Sequence, residues 1–240
     1  MSSTKIEWTE RTWNPITGCS PISLGCQNCY AKTMAKRLKA MGIAKYQNNF
    51  KVTTHYNSLD EPLHWKKSSM IFVCSMSDLF HDGVDFDFVD LVMNIIKKTP
   101  QHTYQILTKR PQRMASYFED KEVLPNVWLG TTIEHFEYKH RSEQIKNIKS
   151  TIKFISFEPL LSDIGDINLN GIDWVIVGGE SGVNARPMDK KWVLDLYRQA
   201  KVNHVAFFFK QWGTWGEDGK RRSKKRNGSQ LDGIEIKEFP

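Results

Sequence analysis

The chain has 240 residues, 40% of them hydrophobic, and carries a formal net charge of +7. That size and apolar content suit one large or two small globular domains with a sizeable core. No run approaches the roughly 18 consecutive apolar residues of a membrane span, and the opening MSSTKIEWTE lacks the apolar stretch and small-residue cleavage site of a signal peptide. A cytoplasmic location without a membrane partner is therefore expected. In that reducing setting clustered cysteines read as metal ligands or catalytic groups, not as disulfides.

In chain order, a short strand is expected near Lys5–Trp8. The loop GCSPISLGCQNCYAK (18–32) then runs into a helix, YAKTMAKRLKAMG (30–42), closed by Gly42. The apolar run MIFVCS (70–75) precedes the amphipathic FDFVDLVMNIIKK (86–98), and TYQIL (103–107) precedes PQRMASYF (111–118). NVWLGTT (126–132) precedes EHFEYKHRSEQIKNIK (134–149), and IKFISF (152–157) leads into PLLSDIGD. DWVIVGG (173–179) precedes DKKWVLDLYRQAK (189–201), and HVAFFFK (204–210) closes the series. Continuous apolar runs alternating with amphipathic helices indicate βα units and a parallel sheet buried on both faces. About seven such units fit a TIM-like (β/α) barrel, complete or partial, better than a small open sheet. The barrel is expected over 1–213, with 214–240 a basic C-terminal extension packed on or beside it.

Barrels of this kind place their active sites at the carboxyl ends of the strands. The polar residues that follow the apolar runs are Ser75, Ser77 and Asp78; Thr108, Lys109 and Arg110; Thr131, Thr132 and Glu134; Ser156 and Glu158; Gly178, Gly179, Glu180 and Ser181; and Lys210 and Gln211. Such clusters on strand after strand predict a lined cavity. Serine, threonine and glutamate also cap helices. For each acidic residue, an ion pair with Lys109, Arg110, Arg186 or Lys210 explains its presence equally well.

Cys19, Cys26 and Cys29 are spaced C-x6-C-x2-C, and the remaining cysteine, Cys74, lies far away in a strand-like run where it reads as a small packed hydrophobe. Three thiolates are one ligand short of a tetrahedral structural zinc site. His55, His64, His81 or His135 would complete a Cys3His site that staples the loop, although none stands at zinc-finger spacing. The other reading is a [4Fe–4S] cluster on three cysteines, with one iron left open for a substrate or cofactor. The loop after the first strand, where these cysteines stand, is the expected place for it.

This arrangement resembles the radical S-adenosylmethionine (SAM) superfamily, whose usual spacing is C-x3-C-x2-C; the first spacer here is three residues longer. Across nearly the whole chain, the strings IEWTERTWNPITGC, GCQNCYA, MSDLFHD, LTKRP, WLGTTIE, FISFEPLL, DWVIVGGESG, ARPM, FFFKQWG and LDG…EFP resemble a phage- and bacterium-encoded family of radical-SAM-like proteins with a compact three-cysteine motif. The resemblance implies a barrel of the radical SAM type, a [4Fe–4S] cluster on Cys19, Cys26 and Cys29, and SAM bound at the open iron. It also implies reductive cleavage of SAM to methionine and a 5′-deoxyadenosyl radical, with a flavodoxin- or ferredoxin-type electron donor. By position, Tyr30, Ser75, Ser77, Asp78, Thr131, Glu134, Gly178 and Gly179 become candidates for binding the cofactor. Lys109, Arg110, Glu158, Glu180 and Lys210 become candidates for substrate contact or acid–base work.

The run KRRSKKR, Lys220 to Arg226, holds six cations in seven residues, so the rest of the chain is nearly neutral. With Trp212 and Trp215 just before it, this segment suits a nucleic acid, by stacking and phosphate contact; a solvated loop and core tryptophans are the alternative. Three functions follow: a radical SAM enzyme on nucleic acid or a nucleotide, a radical SAM enzyme on a small molecule or peptide, and a zinc- or cluster-stabilised nucleic-acid-binding protein without catalysis.

Overall fold

The computed structural model describes residues 4–240; the first three residues of the MSSTKIEWTE stretch read above lie outside them. In chain order the elements are β1 (Arg11–Trp13), β2 (Ile16–Thr17), α1 (Tyr30–Ala40), β3 (Thr53–Thr54), β4 (Met70–Val73), α2 (Phe86–Lys98), β5 (Thr103–Thr108) and α3 (Pro111–Tyr117). They continue with β6 (Val127–Thr132), α4 (His140–Lys146), β7 (Ile152–Phe157), β8 (Trp174–Gly178), α5 (Lys190–Val202), β9 (Ala206–Gln211), α6 (Lys224–Asn227), β10 (Gln230–Leu231) and β11 (Ile234–Glu235). The main sheet has seven strands in the linear order β1-β4-β5-β6-β7-β8-β9. A complete (β/α)8 barrel needs eight strands, so the partial alternative is the one this topology matches. No helix among the described residues is long and apolar enough to cross a membrane.

The chain divides into two compact units. The first comprises 1–22, 29–130 and 148–151. There β1 pairs in parallel with β4, and β4 with β5, setting Thr12 opposite Phe72 and Phe72 opposite Gln105. Trp13, Phe80 and Tyr104 fill its core. Helix α2 starts at Asp85 and turns Phe88, Val89, Val92, Met93 and Ile96 inward, the spacing of one helical face. Helix α3 opens on Pro111, where the missing N–H has no helical partner to lose.

The second unit comprises 23–28, 131–147 and 152–240. Here β7 pairs in parallel with β8, and β8 with β9. Every residue of the WVIVG strand β8 is buried, which is why it reads as a continuous apolar run. Asp189 caps α5 by accepting from the Lys191 N–H at 2.8 Å. The C-terminal residues fold back onto this unit: the Phe209 N–H donates to Ile236 O at 2.8 Å and Trp174 Nε1 to Glu238 O at 2.8 Å.

Two elements differ from the sequence reading. The first strand is Arg11–Trp13, not Lys5–Trp8, because the chain joins β4 only at Thr9 and Glu10, where Thr9 Oγ1 and the Glu10 N–H both donate to Met70 O. Trp8 is buried ahead of the strand, with its carbonyl accepting from Gln105 Nε2. The expected helix over 134–149 is a 3-10 turn at Phe136–Tyr138 followed by the short α4. Its first residues are held by β7 and the chain beyond: the Ile133 N–H donates to Ser156 O, and Glu134 O accepts from the Leu161 N–H. Helix α1 ends as read, with Gly42 at φ +75°.

Gly179 marks a close approach of two backbones, since a Cβ there would lie 2.0 Å from Trp212 O. Gly179→Ala is expected to lower the unfolding free energy by about 2 kcal/mol or more, measured by urea denaturation; a loss below about 0.5 kcal/mol would show that the two backbones separate freely.

Candidate functional site

Cys19 follows Gly18, whose φ is +83° and whose missing Cβ leaves room for Lys51 O. The Gly18 N–H donates to Met76 O at 3.0 Å and Ser77 Oγ donates to Gly18 O at 2.6 Å, which moors the start of the cysteine segment beyond the carboxyl end of β4. Arg110, just past β5, reaches the same place. Its guanidinium donates to Asp78 Oδ2 at 3.2 Å, to Asp82 Oδ2 at 3.1 Å, to Ser20 Oγ at 3.2 Å and to Ser20 O at 3.4 Å, and its Nη1 lies 3.9 Å from Cys19 Sγ. Asp78 is buried and also accepts from Thr108 Oγ1 at 2.7 Å, the Phe80 N–H at 3.0 Å and the Lys109 N–H at 3.2 Å. Burial disfavours the Arg110 charge, but the facing Asp78, Cys19 and Asp82 outweigh it and hold its pKa above the ordinary value. Arg110 and Asp78 are thus a saturated buried pair that positions Cys19 and Ser20.

His81 completes this corner. It accepts from the Gly83 N–H through Nδ1 at 2.9 Å, and its Nε2 meets the Ser20 N–H at 3.2 Å and Ser20 Oγ at 2.7 Å. Burial, and then Arg110, push its pKa below the ordinary histidine value. Of the other residues expected here, Ser75 Oγ donates to Asn14 Oδ1 at 3.1 Å and Ser75 O accepts from Tyr30 Oη at 2.5 Å. Tyr30 is exposed.

Cys26 sits in the second unit, in the 3-10 turn Leu24–Cys26. Its thiol lies 3.5 Å from Ser23 Oγ, and Ser23 Oγ donates to Glu134 Oε1. Glu134 is fully buried; it accepts the Gly25 N–H at 3.2 Å and pairs with Arg141 at 3.0 Å. Arg141 also donates to Thr132 O at 2.8 Å and packs 4.3 Å over the Tyr138 ring, whose hydroxyl accepts from the Leu24 N–H. A second buried carboxylate, Glu180, accepts from Asn28 Nδ2 at 3.1 Å and from Arg186 through its backbone N–H, Nε and Nη2 at 2.8, 2.9 and 2.6 Å. Arg186 Nη2 reaches on to Leu24 O at 3.2 Å. Burial alone would raise the Glu180 pKa; the bonds from Arg186 and Asn28 prevail and hold it below the ordinary value. The Cys26 turn therefore hangs from two buried carboxylates, Glu134 paired with the buried Arg141 and Glu180 paired with the half-buried Arg186.

Glu158 pairs with Lys210 at 3.0 Å, both partly open to solvent, and accepts from the buried Ser156 Oγ at 3.3 Å. Gly178 makes room for this carboxylate, since a Cβ there would lie 2.5 Å from Glu158 Oε1. The main-chain groups of Gly179 are committed, its N–H to Gln211 O and its carbonyl to Gln211 Nε2. Thr131 is fully buried. The ion-pair alternative raised from sequence therefore holds for Glu158 with Lys210 and for Glu180 with Arg186. Sequence reasoning left out Ser20, Ser23, Asn28 and Arg141, which do much of the holding.

All four thiols are free. Cys19, Cys26 and Cys29 are partly exposed, and Cys29 stands at the start of α1. Cys74 is buried, and burial pushes its pKa far up, which removes it as a ligand. Among the described residues no group of three or more His, Cys, Asp or Glu side chains is gathered closely enough to hold a metal ion. The sequence places three free, half-exposed thiols on one short segment, and thiolates are the donors an iron–sulfur cluster takes.

The chain belongs to the family described as Protein of unknown function (DUF5131), whose model matches residues 3–240. No curated protein matches it. Among solved structures it is similar to a cysteine-to-alanine mutant of spore photoproduct lyase with dinucleoside spore photoproduct, at a TM-score of 0.50 and 11% identity, covering 83% of this chain and 63% of that one. Spore photoproduct lyase complexed with the same dinucleoside, and a double mutant of it with bound AdoMet and the dinucleoside, match over the same shares at a TM-score of 0.47 and 11% identity. The chain thus spans 63% of the length of those structures, and what it shares with the cysteine-to-alanine mutant is the α/β fold.

Glu134→Gln leaves Arg141 buried without its counter-charge, so it is expected to cost about 3 kcal/mol of stability and to speed hydrogen exchange at the Gly25 amide; unchanged Gly25 protection would refute the holding role. For His81 the sign follows from its lowered pKa. Between that value and the unfolded value near 6.5 the unfolded chain binds more protons, so stability present above about pH 6.5 is lost as the pH falls. The stability advantage of the wild type over His81→Gln should shrink between pH 7.5 and pH 5, measured by denaturant midpoints; an advantage that grows on acidification would contradict the neutral-ring assignment.

Proposed function

We propose that the protein is a radical SAM enzyme that modifies or repairs a nucleic acid or nucleotide. The observation that carries this reading is the set of free, half-exposed thiols Cys19, Cys26 and Cys29 on one short segment between β2 and α1. It is supported by an α/β fold shared with spore photoproduct lyase. When bound to these three thiolates, a [4Fe–4S] cluster supplies the electron that cleaves SAM to methionine and a 5′-deoxyadenosyl radical. A flavodoxin- or ferredoxin-type donor provides that electron.

The chain's own residues orient and shield. Asp78 and Arg110 fix the backbone of Cys19 and Ser20, while Glu134 and Glu180, each with its arginine, fix the turn of Cys26. Side chains committed in this way cost no reorganisation when a ligand arrives. Glu158 and Lys210 are the pair left partly open, with side-chain exposures of 14% and 19%. A substrate hydroxyl or amine that displaces Lys210 Nζ would meet a carboxylate ready to accept its hydrogen bond, and the freed ammonium would face a phosphate. Lys109 adds a second cation beyond β5. Tyr30, Ser75, Ser77, Thr131, Gly178 and Gly179 stay candidates for cofactor contact by their sequence positions alone.

The test is anaerobic reconstitution with iron and sulfide, addition of dithionite and SAM, and detection of 5′-deoxyadenosine by mass spectrometry. Deoxyadenosine is expected from the wild type and absent from Cys26→Ala. Stoichiometric zinc in the isolated protein, with SAM left intact after reconstitution, would overturn the enzyme reading in favour of a metal-stapled binding protein.

A further inference from the structure

The run Lys220 to Arg226 is built into the fold. Trp215 and Arg221 form an antiparallel bridge, the Gly216 N–H donates to Lys220 O at 2.9 Å and the Arg222 N–H to Thr214 O at 2.9 Å. Arg222 is held by Asp218 through two bonds of 2.7 and 2.6 Å, and Asn227 Nδ2 ties the far end to Gly213 O and Thr214 O at 2.9 Å each. Ser223 caps the short turn of α6.

This hairpin is fastened to the loop 180–186. Trp215 Nε1 donates to Ala185 O at 2.6 Å, and Arg221 donates to Val183 O and lies 5.9 Å from the centre of the Trp215 ring. On its other side the same loop holds the Cys26 turn, through Arg186 to Leu24 and Gln27 and through Glu180 and the Asn184 carbonyl to Asn28. One loop therefore carries the basic hairpin and the segment bearing a proposed cluster ligand, all within the second unit.

The charge on the hairpin is not neutralised internally. Asp218 is spent on Arg222, and Glu217 and Asp232 are spent on Lys190. Lys220, Lys225 and Arg226 are exposed and make no ion pair among the described residues. Like charges fixed side by side repel one another, and a polyanion relieves that repulsion by releasing its counterions. A pre-ordered hairpin also spends little conformational entropy on binding.

We infer that this hairpin is a docking rail for the phosphodiester backbone of a nucleic acid, with Lys220, Lys225 and Arg226 as its phosphate contacts. The inference rests on the proposed action on nucleic acid and names the surface that receives it. A backbone gripped here is carried by the same loop that fixes the Cys26 turn, which sets the strand's register to the chemistry.

The test is fluorescence-anisotropy titration of a labelled single-stranded oligonucleotide, and of its duplex, against salt concentration. Each phosphate contact contributes about 0.7 to the slope of log K against log salt for single strands, so the Lys220→Ala/Lys225→Ala/Arg226→Ala variant should lose about 2 from that slope. The charge-matched variant Lys67→Ala/Lys97→Ala/Lys98→Ala, with three exposed lysines removed elsewhere, should keep the wild-type slope. Equal slopes for the two triple variants would overturn the inference. So would binding to anionic phospholipid vesicles, lost in the hairpin variant, with no oligonucleotide binding by the wild type. These readouts need neither cluster nor SAM: failure to form deoxyadenosine with the slope change intact would sink the enzymatic reading and leave the rail standing.

Discussion

A buried carboxylate facing a buried arginine is costly unless every remaining donor and acceptor finds a partner. In this protein those partners come from the cysteine segment. Glu134 accepts the backbone of Gly25 and the hydroxyl of Ser23, Arg186 gives its outer nitrogens to Leu24 and Gln27, and Arg110 gives its own to Ser20. The dependence runs both ways: removing the segment would orphan the acids, and removing the acids would release the segment. The loop's large apolar residues Ile22, Leu24 and Tyr30 are exposed and bury little surface, so its geometry is supplied by charges built into the strand ends.

That arrangement changes the meaning of the polar residues that follow the strands. Asp78, Glu134 and Glu180 have their oxygens occupied by the protein, and the space beside Gly179 is taken by Trp212 O. They hold the cysteine segment, whereas other strand-end groups are less committed. Glu158 with Lys210 is the clearest of these, an ion pair at 3.0 Å that retains some exposure.

The strands were legible because residues buried on both faces must be apolar throughout; VWLGTT, IKFISF and WVIVG announce themselves this way. β1 was misplaced because it carries Arg11 and Thr12, pairs only with β4 and shows no apolar run. The helix after β6 was overextended because Glu134 looks like a first-turn acid, whereas its side chain is drawn inward to Ser23 and Gly25. The strand-end positions of these polar residues follow from the ends of the apolar runs. Their roles do not, since Glu134 bonds a residue 111 positions away and Asn28 bonds Glu180 across 152. Periodicity carries information over a few residues and none over such separations. The basic run, by contrast, was visible in composition, while its fixed hairpin form depends on Asp218, Asn227 and the Ala185 carbonyl.

The central proposal is that Cys19, Cys26 and Cys29 ligate an iron–sulfur cluster that interacts with SAM. Electron paramagnetic resonance of the anaerobically reconstituted, reduced protein, with iron counted on the same sample, tests it most directly. The account predicts about four irons per chain with the spectrum of a reduced cubane cluster, a change in that spectrum when SAM is added, and loss of the signal in Cys19→Ala. A spectrum indifferent to SAM, or iron that binds equally well without Cys19, would contradict it.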